Sequence, residues 1–339
     1  MTGISVVGQS KTTARLSLAV LGDSDSHAYH DEVFFPPSSP LRGGKLRDST
    51  FQWTEILDRL RRTHVDQGEW GIWGVRGKVG TLLEWAGLSA RMPRKQDFRF
   101  NFAVSGAECE DLMQGPWRQV PRLLSLMDEE PQRWQHGAVL IRIGIITLGK
   151  RADLDGFASQ GATPQTKAQV EDCVRWIRKA VHAIRERHPQ ARVVLVGLAS
   201  NVDWPAYLEY WRSANEVANI DEVLDLYDNS LRELARQDQA VTFFDDREWF
   251  RRYWGQRGPQ GQSDQYKTVR LPSGLEVRNT AGDTLDNAII ADGHGGTVLN
   301  GLWALDLVGH LNGLWGGAIP PVKDAELDNF IQSLPKRAH

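Results

Sequence analysis

The sequence predicts an α/β protein, a three-layer α/β/α sandwich with a central, mostly parallel sheet of five strands. Short apolar runs of strand length alternate along the chain with long amphipathic segments, which is the pattern of βαβ units. No linker-like stretch separates two complete cores. We therefore expect one decorated domain over residues 1–339, with its core at about 15–315.

The strand candidates are short, apolar and bounded by turn residues. They are Leu16–Leu21, Phe98–Val104, Ala138–Ile145, Arg192–Leu198 and Val241–Phe244. In an open parallel sheet, ligands bind beyond the carboxyl ends of the strands. The segments that follow these strands are therefore the first places to look for chemistry.

The helix candidates show apolar residues at helical spacing. They lie near 50–62, 107–127, 164–187, 217–237 and 297–312. The clearest is 164–187, because Thr163 can cap its first turn and Pro164 suits its first position. Val170, Cys173 and Val174 begin an apolar stripe that continues along this helix.

Three segments do not fit the repeating unit and are interpreted as insertions, at about 66–96, 199–216 and 246–285. Many of the 13 tryptophans fall within them. The candidate substrate contacts among them are Trp70, Trp73, Trp204 and Trp254, because aromatic faces in loops can stack on sugars or line an acyl pocket. Equally, each insertion needs a small core of its own. The third insertion also predicts a hairpin with its turn at Pro272–Gly274.

Composition narrows the possible partners. With 40 basic and 43 acidic residues the formal charge is −3, which argues against binding nucleic acid through a broad basic face. No apolar run is long enough to span a bilayer, and the start of the chain does not resemble a secretory signal, so we expect a cytoplasmic protein without a membrane span.

Cys109 and Cys173 could form one bridge, but two free thiols are the preferred interpretation. No His/Cys cluster has the spacing of a zinc site, and neither a metal nor another cofactor is expected.

A serine early in the chain and an Asp/His pair late in the chain indicate nucleophilic catalysis. Ser24 directly follows the first strand, and Asp292 and His294 precede the last long helix. A serine hydroxyl needs a base to take its proton, and that base needs a carboxylate to orient it. The simpler interpretation is that Ser24 and Asp292 are turn or helix caps and that His294 is a surface residue.

Taken in order, these blocks resemble the SGNH, or GDSL-type, hydrolase superfamily, whose fold is flavodoxin-like. The stretch LAVLGDSDS matches the first block, with Ser24 at the nucleophile position. The stretch from Asn101 to Ser105-Gly106 matches the second, and Asp292 with His294 matches the last. The resemblance implies that the amides of Ser24 and Gly106 form an oxyanion hole.

Two features depart from the family pattern. The third block has an Asn that donates to the oxyanion, but Ile146 stands there and has no donor. Losing one such donor costs about 10² to 10³ in rate, so Thr147 or Asn201 is considered as a substitute. One residue separates Asp292 from His294, whereas the family usually has two, and the glycines of this turn can accommodate the difference.

The sequence therefore predicts a serine esterase acting on a small carboxylic ester, such as an acetylated carbohydrate or a short acyl ester. Asp23 and His27 join Thr147, Asn201, Trp73 and Trp204 as candidate substrate-binding residues. The alternative is a weakly active or non-catalytic protein of this type that binds a glycan or acyl ligand, because Ile146 lacks the donor. The oligomeric state and the choice between hydrolysis and acyl transfer stay open.

Overall fold

A computed structural model describes residues 15–86, 90–199, 201–258 and 266–335. Its central sheet has five parallel strands, which confirms the predicted fold class. In spatial order they are β2 (Val65–Asp66), β1 (Leu16–Gly22), β5 (Ala138–Arg142), β6 (Arg192–Val196) and β7 (Val241–Phe244). The residues of β1 and β5 are all buried, as expected for a parallel sheet covered on both faces.

The prediction was wrong for the second strand. Residues 95–98 form β4 (Lys95–Phe98), which pairs antiparallel with β3 (Trp70–Trp73) in a separate two-stranded sheet. The chain after β4 then runs beside β1, where the Phe102 amide donates to the Val20 carbonyl over 2.7 Å. The apolar run therefore serves two partners in turn, which its periodicity alone could not reveal.

Helices cover the two faces of the sheet and bury two separate apolar clusters. One cluster contains residues of α3 (Gln119–Glu129), α6 (Arg151–Gln160), α7 (Pro164–Arg187) and α8 (Ala214–Gln237). The other contains residues of α1 (Trp53–Arg61), α9 (Asp246–Trp254), α10 (Thr297–Trp315) and α11 (Asp324–Gln332). This arrangement is the expected three-layer sandwich. The single-domain boundary of 1–339 stays a prediction.

The sequence located most long helices well. The prediction of α7 is confirmed, and the Thr163 hydroxyl caps it as expected. The predicted helix at 107–127 is wrong in its first half, where a short 3₁₀ turn at Cys109–Leu112 precedes α3. Gly115 has a φ of 71°, and Pro116 follows it, so a continuous helix cannot pass through this point.

The insertions carry the remaining elements. Residues 66–96 contain β3 and α2 (Gly77–Trp85), and residues 199–216 contain two 3₁₀ turns. Residues 246–285 contain α9 and the predicted hairpin, formed by β8 (Val269–Arg270) and β9 (Glu276–Ala281). The other elements are α4 (Pro131–Trp134), α5 (Ile145–Leu148) and β10 (Asn287–Ile289). Residues 87–89, 200 and 259–265 of these insertions lie outside the described part.

Cys109 and Cys173 form a disulfide, so the expectation of two free thiols was wrong. Their Cα atoms lie 5.1 Å apart, because the 3₁₀ turn that carries Cys109 packs on α7. From the sequence, both cysteines could be interpreted as small buried side chains. The sequence did not reveal that the 3₁₀ turn with Cys109 packs on α7. The bridge fixes the segment that follows Gly106.

The end of β1 is packed too closely for a side chain. Gly22 has a φ of 155°, and a Cβ placed on it would lie 2.0 Å from the Arg142 carbonyl oxygen of β5. The side chain of Gln119 exchanges two hydrogen bonds of 2.8 Å with the Gly22 backbone. The chain therefore leaves the sheet along a fixed path toward Ser24. In the described part of the chain, no helix is both long and apolar enough to cross a membrane.

Candidate active site

Ser24 lies in the turn beyond the carboxyl end of β1 and is 6% exposed. Its carbonyl accepts a hydrogen bond from Gln52 at the start of α1. Within the described part of the chain, neither its hydroxyl nor its amide N–H is hydrogen-bonded. The turn is thus held by its flanks, and the hydroxyl and amide of Ser24 stay available.

A group of buried charged side chains holds this turn in place. The guanidinium of Arg142 donates to the carbonyl of Asp25 over 3.0 Å and to the carboxylate of Asp246 over 2.9 Å. Asp23 is 1% exposed and accepts a hydrogen bond from the Asp25 amide. Burial, reinforced by the charge of Asp25, raises the pKa of Asp23. As placed, Asp23 shapes the turn and is shielded from a ligand.

The segment that leads to Gly106 runs along β1 and the turn that follows it. The Val104 backbone amide donates to the Gly22 carbonyl over 3.0 Å, and the side-chain Nδ2 of Asn101 donates to the Ser26 carbonyl over 2.8 Å. Gly106 has a φ of 89° and an exposed position, and none of the described residues accepts from its amide. Two unpaired amides, those of Ser24 and Gly106, thus follow two adjacent extended segments.

Asp292 and His294 form a hydrogen-bonded pair, with 2.9 Å between Asp292 Oδ1 and His294 Nδ1. The intervening Gly293 has a φ of 90°, which lets a spacing of one residue bring the two side chains together. Burial alone would raise the pKa of Asp292, but the hydrogen bond from His294 and the charge of Arg42 hold it well below its usual range. Asp292 therefore remains a carboxylate that can orient the imidazole.

Two contacts hold the turn that carries this pair. The Tyr29 hydroxyl, from the loop after Ser24, donates to the Gly295 carbonyl over 2.8 Å. The Trp204 indole donates to the Gly293 carbonyl over 2.6 Å. His294 is 23% exposed, and its Nε2 has no partner among the described residues. His294 Nε2 and the Ser24 hydroxyl are not hydrogen-bonded to each other.

The candidate substitutes for the missing oxyanion donor are occupied elsewhere. Ile146 lies in the short helix α5. The Thr147 hydroxyl accepts from the Cys109 amide over 3.1 Å, and the Asn201 amide nitrogen donates to the Gly149 carbonyl over 2.7 Å. Both side chains therefore stabilise the loops around α5.

The remaining predicted contacts divide by burial. Trp254 is fully buried in the core, so it cannot contact a ligand as placed. Trp73 donates from its indole to the Asp97 carbonyl over 3.0 Å, which anchors the inserted sheet. Trp70 is 39% exposed and lines a surface cavity of about 440 Å³ with Phe98 and His30. Trp204 is the tryptophan that reaches the Asp292–His294 turn.

Sequence reasoning missed two features of this site. Arg42, from a loop rich in proline and glycine, contacts both Asp292 and His294. His27, predicted to contact substrate, is instead fully buried and bonds Ser105 on one side and Asp31 on the other. The spacing of His27 and Asp31 was the available signal for their pairing, whereas no motif marks Arg42. No group of three or more His, Cys, Asp or Glu residues in the described part is placed to hold a metal ion.

Comparison with known proteins gives distant likenesses. No protein-family model matches the chain, and no curated protein matches it. An extracellular lipase from Streptomyces rimosus aligns with a TM-score of 0.36 and 15% identity, covering 70% of this chain and 83% of the lipase chain. A salicylyl-acyltransferase from a tetracycline biosynthetic pathway aligns with a TM-score of 0.36 and 16% identity, covering 89% of this chain and 56% of the acyltransferase chain. The activity of this chain is therefore inferred from its own residues.

Proposed function

We propose that this chain is a serine-dependent esterase acting on a small carboxylic ester, such as an acetylated carbohydrate or a short acyl ester. The observation that carries the proposal is the hydrogen bond between Asp292 and His294, on a turn fastened to the loop that carries Ser24. It orients an imidazole whose second nitrogen is unpaired among the described residues, and the hydroxyl of Ser24 is equally unpaired among them.

In the proposed reaction, Ser24 Oγ attacks the ester carbonyl carbon while His294 Nε2 takes the hydroxyl proton. The amides of Ser24 and Gly106 stabilise the oxyanion. The intermediate collapses, and His294 returns the proton to the departing alcohol oxygen. Water then attacks the acyl-enzyme with His294 again as the base, which releases the acid and restores Ser24. Asp292 stabilises the imidazolium at each step. The contact between Ser24 and His294 would tighten when substrate binds, as catalytic hydrogen bonds often do.

A fluorophosphonate probe tests this proposal because it labels activated serines. We expect wild-type protein to be labelled on the peptide that contains Ser24, and Ser24→Ala to lose labelling and hydrolysis of p-nitrophenyl acetate. Ser159→Ala is the matched control, because Ser159 is an exposed serine on α6 outside the site. Absence of labelling in folded wild-type protein, or labelling at another serine alone, would overturn the proposal. Acetate release from a panel of acetylated sugars then tests the substrate class.

The second candidate function is a non-catalytic protein that binds a glycan or acyl ligand. It is favoured by Ile146 at the donor position and by the absence of a hydrogen bond between Ser24 and His294. Folded wild-type protein that resists the probe but gains thermal stability with acetylated oligosaccharides would support this candidate.

Addition of an alcohol acceptor to the active protein separates hydrolysis from acyl transfer, because a transferase yields a new ester.

The cytoplasmic location predicted from the sequence is carried forward as part of this proposal. The disulfide between Cys109 and Cys173 counts against it, because structural disulfides persist mainly in oxidising compartments. Cell fractionation, followed by thiol titration of the unfolded protein, decides the matter, because both cysteines are 1% exposed in the folded chain. Recovery in the cytosolic fraction with two thiols would support a cytoplasmic location, and recovery outside it with no thiol would contradict that location.

A further inference from the structure

Arg42 lies in the loop between β1 and α1, with a side chain that is 3% exposed. Its guanidinium packs over the rings of Phe35 and Tyr29, at 4.5 and 5.3 Å from their centroids. The Thr50 hydroxyl donates to its carbonyl over 2.6 Å, and its own φ is 58°. We propose that Arg42 is a positioning residue of the esterase site and that its charge compensates for the donor missing at Ile146. This inference rests on the function proposed above.

The first support is the way Arg42 divides the carboxylate of Asp292. Its backbone amide and its Nη1 both donate to Asp292 Oδ2, each over 2.7 Å. The other oxygen, Oδ1, is left for His294 Nδ1. Nη1 also lies 2.6 Å from His294 Nδ1, but that nitrogen donates to Asp292 Oδ1, so the contact joins two donors and is not a hydrogen bond. Arg42 thus sets the position of Asp292 and, through Asp292, that of His294.

The second support is a directional chain of hydrogen bonds behind Arg42. The Ser105 amide donates to His27 Nδ1 over 3.1 Å, which makes that nitrogen an acceptor. The proton of His27 is therefore on Nε2, which donates to Asp31 over 2.7 Å. Burial, together with the charge of Lys95, lowers the pKa of His27 to about 3, which keeps it neutral near neutral pH.

The orientation of His27 fixes the hydroxyl of Ser105. That hydroxyl lies 3.0 Å from the acceptor Nδ1, so it donates there and keeps its lone pairs for another donor. Arg42 Nη2 donates to it over 3.3 Å. Asp31, His27 and Ser105 therefore hold one end of the guanidinium, and Asp292 holds the other.

The third support is the place of this charge relative to the expected oxyanion. Gly106, whose amide is one of two proposed donors, directly follows Ser105 in the chain. A positive charge one residue away and shielded from water favours a developing negative charge. Arg42 Nε is buried and has no hydrogen-bond partner among the described residues.

A double-mutant cycle between Arg42 and Ile146 tests the compensation. We expect Arg42→Met to lower kcat on p-nitrophenyl acetate by about 100-fold, similar to the loss of one oxyanion donor. Ile146→Asn should raise kcat of Arg42→Met by about 10-fold more than it raises kcat of wild type, because the two groups serve the same charge. Arg42→Lys keeps the charge and should recover part of the loss.

The split between kcat and KM supplies a readout that a merely structural role would not move. Arg42→Met should lower kcat on p-nitrophenyl acetate with little change in KM, because the charge acts on the oxyanion of the transition state and not on the bound ester. Unchanged kcat in folded Arg42→Met, or strictly additive effects with Ile146→Asn, would overturn the inference. If Arg42→Met fails to fold, the same criteria apply to Arg42→Gln, which also removes the charge. Failure of the proposed function is distinct, because wild-type protein would then show no turnover that depends on Ser24.

Discussion

The described part of the chain contains two groups of Ser, His and Asp, and they differ in how their hydrogen bonds are completed. In the group of Asp31, His27 and Ser105, every link is formed, and the carboxylate and imidazole are fully buried. In the group of Asp292, His294 and Ser24, the Asp–His link is formed, the imidazole is partly exposed and the serine hydroxyl is unpaired among the described residues. A complete buried set suits holding a structure, and unpaired accessible groups suit reacting with a ligand.

The largest expected difference between the two groups comes from their carboxylates. Asp292→Asn should lower kcat by about 10⁴-fold, because an amide nitrogen facing His294 favours the wrong tautomer. Asp31→Asn should instead lower the free energy of unfolding by about 3 kcal/mol, because it breaks a buried pair, and should lower kcat only about 10-fold through Arg42. Steady-state kinetics and urea unfolding of both variants measure the two effects.

The comparison would fail if the two variants exchanged these effects. A large loss of kcat in Asp31→Asn with little change in Asp292→Asn would assign the chemistry to the buried group. Labelling of Ser105 by the fluorophosphonate probe would lead to the same conclusion.

The next effect concerns the segment that carries Ser105 and Gly106. Cys109 closes a loop to Cys173 across a sequence separation of 64, shortly after Ser105 and Gly106. Replacing both cysteines by alanine should lower the free energy of unfolding by about 4 kcal/mol, from loop-closure entropy. It should also lower kcat, because the Gly106 amide loses an anchor. Urea unfolding of the variant and of reduced wild-type protein should agree, and an unchanged urea midpoint would contradict the prediction.

The smallest effect sharpens the buried group by its pH dependence. Burial and the charge of Lys95 lower the pKa of His27 to about 3 in the folded protein, against its ordinary value of 6.5. The unfolded chain therefore binds this proton more readily, and the free energy of unfolding should fall as pH falls from about 6.5 toward 3. The slope from this residue is at most about 1.4 kcal/mol per pH unit.

His27→Asn removes the titrating ring and keeps an oxygen that can accept from Ser105. Urea unfolding should be measured at about pH 6.5, 5.5 and 4.5. The free energy of unfolding should decline less steeply with falling pH in the variant than in wild type. Equal slopes would show that His27 does not titrate with the expected shift.

The sequence predicted the fold because most elements carry local signals. The cap at Thr163 and the apolar stripe after it fixed α7, and the uninterrupted apolar run at Leu16–Gly22 fixed β1. The second strand of the sheet was missed because Val65–Asp66 is too short to show periodicity. Pairing of β3 with β4 is a non-local choice that no window of sequence contains.

The candidate site was predictable where residues close in sequence act together. Asp292 and His294 pair within one glycine turn, and Gly106 follows its own motif. Arg42 was not predictable, because its partner Asp292 is 250 residues away and its loop shows turn residues alone. The disulfide was missed for the same reason, since it depends on packing between distant elements.

The close contact at Gly22 shows that the glycine and the serine of one short motif are required for different reasons. Gly22 is required by the approach of two strands, whereas Ser24 is required only if the protein reacts with a substrate. A related protein without catalytic activity could therefore lack the serine and still keep the glycine. A search for active enzymes that relies on the glycine and its neighbours would include such inactive proteins. The serine is the residue that distinguishes the two.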